Sequence, residues 1–96
     1  MNHIALFRRN DINREIDDFR NTPDAVLLDV RSEEEYLSGH IPQSVNIPLD
    51  KISNIQNVVK KLDSAIFVYY LRGTRSRRAS DILKKIGYKK SKVLAE

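Results

Sequence analysis

The sequence predicts an α/β fold, a parallel sheet wrapped by helices, on three observations. Two short runs, 25–30 (Ala-Val-Leu-Leu-Asp-Val) and 65–69 (Ala-Ile-Phe-Val-Tyr), are apolar nearly throughout, as in strands covered on both faces. Between and after them, apolar residues recur at helical spacing: Ile52, Ile55, Val59 and Leu62, then Ala79, Ile82, Leu83 and Ile86. The two kinds of segment alternate along the chain, the pattern of parallel strands joined by helical crossovers. The length of 96 residues, 41% hydrophobic and 31% charged, suits one core and is too ordinary for a disordered tract, so a single domain over residues 1–96 is expected.

Ile4–Phe7 suits a first strand. Asn10 or Asp11 caps a helix that faces inward with Ile12, Ile16 and Phe19, and Asn21-Thr22-Pro23 ends it. After the central strand at 25–30, Ser32 followed three residues later by Glu35 is a capping box, and Glu33 and Glu34 sit where the helix dipole favours acid. Gly39 suits the stop of that short helix. Residues 41–48 hold Pro42 and Pro48, leaving room between them for a short strand only. An amphipathic helix is expected from Asp50, a buried strand at 65–69, a turn at 71–74, a helix closed by Gly87 and a last strand at Val93-Leu94.

With no cysteine, the chain lacks a thiolate nucleophile, a disulfide framework and a persulfide carrier. No cluster of His and carboxylates has metal-ligand spacing, so neither a metal nor a cofactor is expected. The longest apolar run, Ala65 to Leu71, is far short of a membrane span. The start carries no apolar h-region or cleavage site, so a signal peptide is not expected and the cytoplasm is the default compartment. The net charge of +4 conceals a division: residues 1–48 hold 5 Lys and Arg against 9 Asp and Glu, residues 49–96 hold 12 against 4. Such a division serves a nucleic-acid or acidic-lipid surface, or two halves attracting each other within one fold. The second is preferred, because no aromatic residues interleave with Lys60-Lys61, Lys84-Lys85 and Lys89-Lys90 as a stacking platform requires.

Ligands of open α/β sheets sit beyond the carboxyl ends of the strands, which directs attention to Tyr70-Leu71-Arg72-Gly73-Thr74-Arg75-Ser76. Gly73 permits a tight turn, the helix start offers unpaired amides, and Arg72 and Arg75 add charge, so Tyr70 to Arg75 form an anion cradle. A plain connection with solvated arginines fits the same residues. No G-x-x-x-x-G-K phosphate-binding pattern is present. Asp29 and Arg31 end the central strand nearby, where an ion pair or backbone hydrogen bonds would support the loop. His40 is expected to be a hydrogen-bonding turn residue, and His3 lies at the start of the chain.

Leu28-Asp29-Val30-Arg31, Glu35-Tyr36, Gly39-His40-Ile41-Pro42, Asn46-Ile47-Pro48, Phe67-Val68-Tyr69 and Gly73-x-Arg75-Ser76 follow one another in order. In these blocks the chain resembles a rhodanese-like (sulfurtransferase) domain over residues 4–95. The resemblance implies a three-layer fold with a five-stranded parallel sheet and helices on both faces. It also implies a six-residue loop opened by a cysteine that accepts sulfane sulfur and passes it on. Tyr70 stands at the cysteine position. A phenol ionises near pH 10, is charged about once in a thousand at pH 7, and forms no stable sulfur adduct. Family members lacking the cysteine are often interaction domains, so the resemblance implies an inactive binding or regulatory module whose loop receives a protein partner or small anion. The loop rim of Tyr70, Leu71 and Arg72 is expected to point out of the core toward that partner. The alternatives are a sulfurtransferase with a partner-supplied thiol, or a phosphatase-like enzyme on the same loop, although no His lies close in sequence to serve as base. Two further departures from the family pattern are Gln43-Ser44 for the usual Gly-Ala, and an end at Glu96 where relatives continue into a last helix. The second implies either a trimmed domain or a side of the sheet covered by something else, since an uncovered apolar face would invite a partner or self-association.

Overall fold

The computed structural model describes residues 13–70 and 73–94, of residues 73–76 the backbone alone. The expected strand at Ile4–Phe7 and the capping residues Asn10 and Asp11 therefore lie outside the described residues, as do Leu71 and Arg72. In chain order the elements are a helix over residues 13–20 (α1), β1 (Val26–Asp29), α2 (Glu33–Leu37), β2 (Val45–Asn46), a 3-10 segment (Leu49–Asn57), β3 (Ile66–Tyr69), α3 (Gly73–Ile86) and β4 (Ser91–Val93).

The four described strands form one sheet in the order β2-β1-β3-β4, every pair parallel. Val26 to Asp29 pair with Ile66 to Tyr69 in step, and Asp29 also lies level with Asn46. Because side chains alternate across a strand, this register sorts the core into two layers. Leu28, Val30, Ile66, Val68 and Tyr70 face α3 and the 3-10 segment, where they pack with Ile55, Leu83 and Tyr88. Leu27 and Phe67 face the other side, with Phe19 of α1 packed against them. Phe19 meets Phe67 edge-on at 5.9 Å between ring centroids. The same side is tied by Lys92 of β4, whose ammonium lies 2.9 Å from Glu15 of α1. Leu27, Phe67 and Leu94 are all buried, so this side of the sheet is covered at these residues.

Local signals decide most element ends. The Ser32 hydroxyl accepts from the Glu35 amide at 3.1 Å, and Glu35 accepts from the Ser32 amide at 3.0 Å, completing the capping box. Gly87 adopts φ 130° at the end of α3, where the Tyr88 amide donates to the Leu83 carbonyl. Two expectations need correction. The stripe from Asp50 forms a 3-10 segment, broken by a non-helical Lys51, rather than an α-helix. Ile52 and Ile55 are three apart and both buried, which a three-residue turn satisfies, whereas Leu62 lies outside the segment and is 44% exposed. The last strand begins earlier than expected, at Ser91, because Ser91 pairs with Ile66 and its hydroxyl lies 2.8 Å from that of Ser80 on α3.

Two stability predictions follow from these placements. Gln43 holds φ 74°, a left-handed conformation that costs a side-chain-bearing residue about 1 kcal/mol. Gln43→Gly should therefore raise stability in urea by about 0.5 kcal/mol, since glycine's greater unfolded freedom offsets part of the gain. Tyr88 is fully buried, its hydroxyl donating to the Val59 carbonyl, and burial pushes its phenol above the usual value. Below about pH 10 both folded and unfolded chains keep this proton; above it the unfolded phenol ionises first, so stability falls as pH rises. Tyr88→Phe should cost about 1 kcal/mol at neutral pH through the orphaned carbonyl, yet show a shallower alkaline decline in urea midpoints than the parent chain.

Candidate functional site

The carboxyl end of the sheet is organised around a buried ion pair. Asp29 is fully buried, and Arg31 folds back on it two residues later. Arg31 Nε donates to both carboxylate oxygens at 3.0 and 3.1 Å, Nη2 donates to Oδ2 at 2.9 Å, and the Arg31 amide donates to Oδ1 at 2.9 Å. The hydrogen-bonded Asp29 carboxylate pushes the Arg31 guanidinium above its usual value, outweighing the opposing effect of burial. The fork has further reach. Nη2 donates to the Gly39 carbonyl at 2.7 Å, and the guanidinium carbon lies 5.4 Å from the centre of the Tyr69 ring. Asn46 of β2 donates its side-chain amide to the carbonyls of Asp29 and Arg31, at 3.0 and 2.9 Å. Of the two forms expected for Asp29 and Arg31, the structure shows the ion pair together with a backbone hydrogen bond, and Asn46, Gly39 and Tyr69 adjoin it.

Tyr70 follows β3 directly. The carbonyl of its neighbour Tyr69 accepts from the Val30 amide at 3.1 Å, which keeps the two strand ends side by side. Tyr70 is 8% exposed and belongs to the core layer under α3. This corrects the expectation that its ring projects from a loop rim: Tyr70 has the same parity as Ile66 and Val68, so its side chain enters the layer they occupy. The connection is also shorter than a loop over 70–75, because the backbone is helical from Gly73. Gly73, Thr74 and Arg75 open α3, whose first amides have no partner within the helix. The side chains of Thr74 and Arg75 lie outside the described residues.

Beside Tyr70 runs a cleft of about 470 Å³ bounded by Val30, Leu49, Asp50, Tyr70, Arg78 and Ile82. The Ser32–Glu35 capping pair forms part of its wall. Asp50 and Arg78 carry no signal in the sequence; the folding of the 3-10 segment toward α3 brings them to one opening. His40 is the expected turn residue: Nδ1 lies 2.8 Å from the Tyr36 carbonyl, and its ring stacks on Tyr36 at 3.8 Å. Tyr36 in turn donates its hydroxyl to the Ser44 carbonyl at 2.6 Å. Among the described residues, no group of three His, Asp or Glu side chains is placed to hold a metal ion.

A parallel sheet with helices on both faces, a helix opening directly after a strand and an Asp–Arg fork beneath that junction define a rhodanese-type architecture. The model of the rhodanese-like domain matches residues 13–96, and the chain belongs to that family. Among solved structures, the human single-domain sulfurtransferase superposes with a TM-score of 0.71 at 25% identity, over 85% of this chain and 84% of its own. A rhodanese with anions from E. coli superposes with a TM-score of 0.67 at 30% identity, over 74% of this chain and 84% of its own. Among curated relatives, an adenylyltransferase and sulfurtransferase of Ogataea parapolymorpha is 37% identical over 62 residues, 65% of this chain and 16% of the relative. A tRNA uridine(34) hydroxylase of Salmonella newport is 32% identical over 85 residues, 83% of this chain and 23% of the relative. The chain therefore spans less than a quarter of each of these two proteins.

The Asp29–Arg31 pair generates a prediction. Removing one partner of a buried pair strands the other charge, so Arg31→Met should destabilise by about 3–5 kcal/mol in urea. Combining it with Asp29→Leu should recover part of that loss, because no uncompensated buried charge then remains.

Proposed function

We propose that this rhodanese-like chain is a catalytically inactive binding or regulatory module, which engages a protein partner or a small anion at the junction of β3 and α3. One observation carries the reading: a tyrosine follows β3 where sulfur transfer needs a thiolate, in a chain with no cysteine. A phenolic oxygen cannot accept sulfane sulfur as a persulfide, and the buried Tyr70 ring occupies core rather than open space. Recognition remains chemically well supplied. The first amides of α3, with Arg72 and Arg75 in sequence beside them, suit a carboxylate, sulfate or phosphate. The kinship with sulfurtransferases supports a role in contact with sulfur-transfer chemistry performed by other proteins. A partner-supplied thiol would restore enzymatic activity on the same junction, and that alternative is separated by repeating the assay below with a thiol-bearing partner protein added, where turnover dependent on this chain would favour it.

The purified chain should produce no thiocyanate from thiosulfate and cyanide above the buffer rate, and turnover proportional to its concentration would overturn the reading. Titration with inorganic sulfate should shift the amide resonances of residues 70–76, and Arg72→Ala with Arg75→Ala should abolish those shifts. Tyr70→Cys should cost about 2–4 kcal/mol, because a small thiol leaves part of the ring's core volume empty. Its thiol should nevertheless titrate below the free value of about 8.5, as read by alkylation rate against pH, if the helix start faces that position.

A further inference from the structure

The charge division of the sequence leaves a question that the fold sharpens. Attraction between an acidic first half and a basic second half would absorb the cations in ion pairs. Among the described residues, the ion pairs are Arg31 with Asp29 inside the first half, and Lys92 with Glu15 and Asp18 across the halves. Lys60, Lys61, Lys84, Lys85, Lys89 and Lys90 are all exposed, and among the described residues none of them has a carboxylate within ion-pairing distance.

The fold gathers these lysines. The Lys90 carbonyl accepts from the Ile66 amide at 3.1 Å, which sets the Lys89–Lys90 turn at the start of β3. Leu62 packs so closely on Gly87 that a Cβ there would lie 3.2 Å from its Cδ1, which sets the chain after Lys60–Lys61 against the end of α3. Lys84 and Lys85 occupy the last turn of that helix. The pair at Lys60–Lys61 thus joins the neighbouring pairs at Lys84–Lys85 and Lys89–Lys90 on the pole opposite Tyr70. Arg77 and Arg78, also exposed, precede Lys84 and Lys85 by seven residues and so lie on the same stripe of α3, about 10.5 Å away. The carboxylates nearest to these cations are Asp81, between the two steps of the stripe in sequence, Asp63, in the turn after Lys60–Lys61, and Asp50, which shares the mouth of the cleft beside Tyr70 with Arg78.

We propose that the outer face of α3 and its adjoining lysine turns form a second binding surface, for the phosphate backbone of double-stranded nucleic acid read without regard to sequence. Two cation steps about 10.5 Å apart match the roughly 12 Å width of a major groove, so each step meets a phosphate row. A single strand would call for stacking aromatics, and the large apolar residues exposed among the described residues, Leu37, Val58 and Leu62, include none. A protein interface or a membrane would call for an apolar centre, whereas among the described residues Leu62 is the one large exposed apolar residue near the lysines, and it packs on Gly87. Phosphate contacts need neither.

Fluorescence anisotropy of two labelled DNA duplexes of about 20 base pairs and unrelated sequence tests this, between about 50 and 200 mM salt. Both should bind equally, with a log–log salt slope of about −4, as neutralisation of four or five phosphates requires. The variant Lys84→Gln, Lys85→Gln, Lys89→Gln, Lys90→Gln should bind at least tenfold more weakly with a slope flatter by about three. Asp81→Asn should tighten binding a few-fold. Urea midpoints of these exposed-site variants check that each is folded. No duplex binding at the lower salt, an unchanged slope in the lysine variant, or tighter binding to a single strand or to phosphatidylserine vesicles would overturn the proposal.

Discussion

A carboxylate at the end of a strand buried on both sides imposes the constraint on which the rest of the site depends. Asp29 is held without solvent, and its charge is tolerable because Arg31, two residues on, turns back and supplies a two-pronged partner plus its own amide. That reversal directs the chain out of the sheet just where Ser32 starts α2. The spare prong fastens the Gly39 turn, and Asn46 takes up the carbonyls that the bend leaves over. One ion pair therefore sets the exit from β1, the return through Gly39 and the seating of β2. Buried pairs are seldom net stabilising against apolar substitutes, so the contribution here is conformational: alternatives to this turn would leave a charge unmatched.

Tyr70 stands on that foundation and changes what the site can be. Replacing a small thiol with a phenol removes a nucleophile and also adds a ring to the layer under α3. On the reading proposed above, the ring turns a reaction position into a structural one, since packing depends on the side chain that sulfur transfer would need to be small. A recognition role makes no such conflicting demand, because amides and arginines at a helix start need no volume beneath them. Asp50 and Arg78 widen the possibilities at the mouth of the adjacent cleft, where opposite charges lie along an apolar wall.

Much of this architecture was legible because its signals are local. The strands at 26–29 and 66–69, the capping box at Ser32 and the end of α3 at Gly87 each follow from a few neighbouring residues. The 3-10 segment was not, since apolar spacings of three and four residues over two turns suit either helix type. The burial of Tyr70 had a readable signal, its shared parity with Ile66 and Val68, but the turn residues beyond it argued for a loop instead. Asn46 lay within a recognisable block without a visible role, because its bonds span 15 to 17 residues. The approach of Lys60–Lys61 to the other two lysine pairs is likewise a property of tertiary packing and invisible to periodicity.

The edge of the sheet at β2 has a bearing on how the molecule behaves in a crowd. An unpaired strand edge templates the addition of foreign chains, and the hazard grows with its length. Here the pairing ends after Val45 and Asn46, with prolines at 42 and 48 on either side. Proline offers no amide to an incoming strand, and two residues give too few bonds to hold one. Asn46 additionally turns its side-chain amide inward to β1, so the polar side chain nearest the rim is already engaged. The short strand that completes the site is thus also a guard against fibrillar stacking along this side, and lengthening it would endanger solubility before it improved the fold.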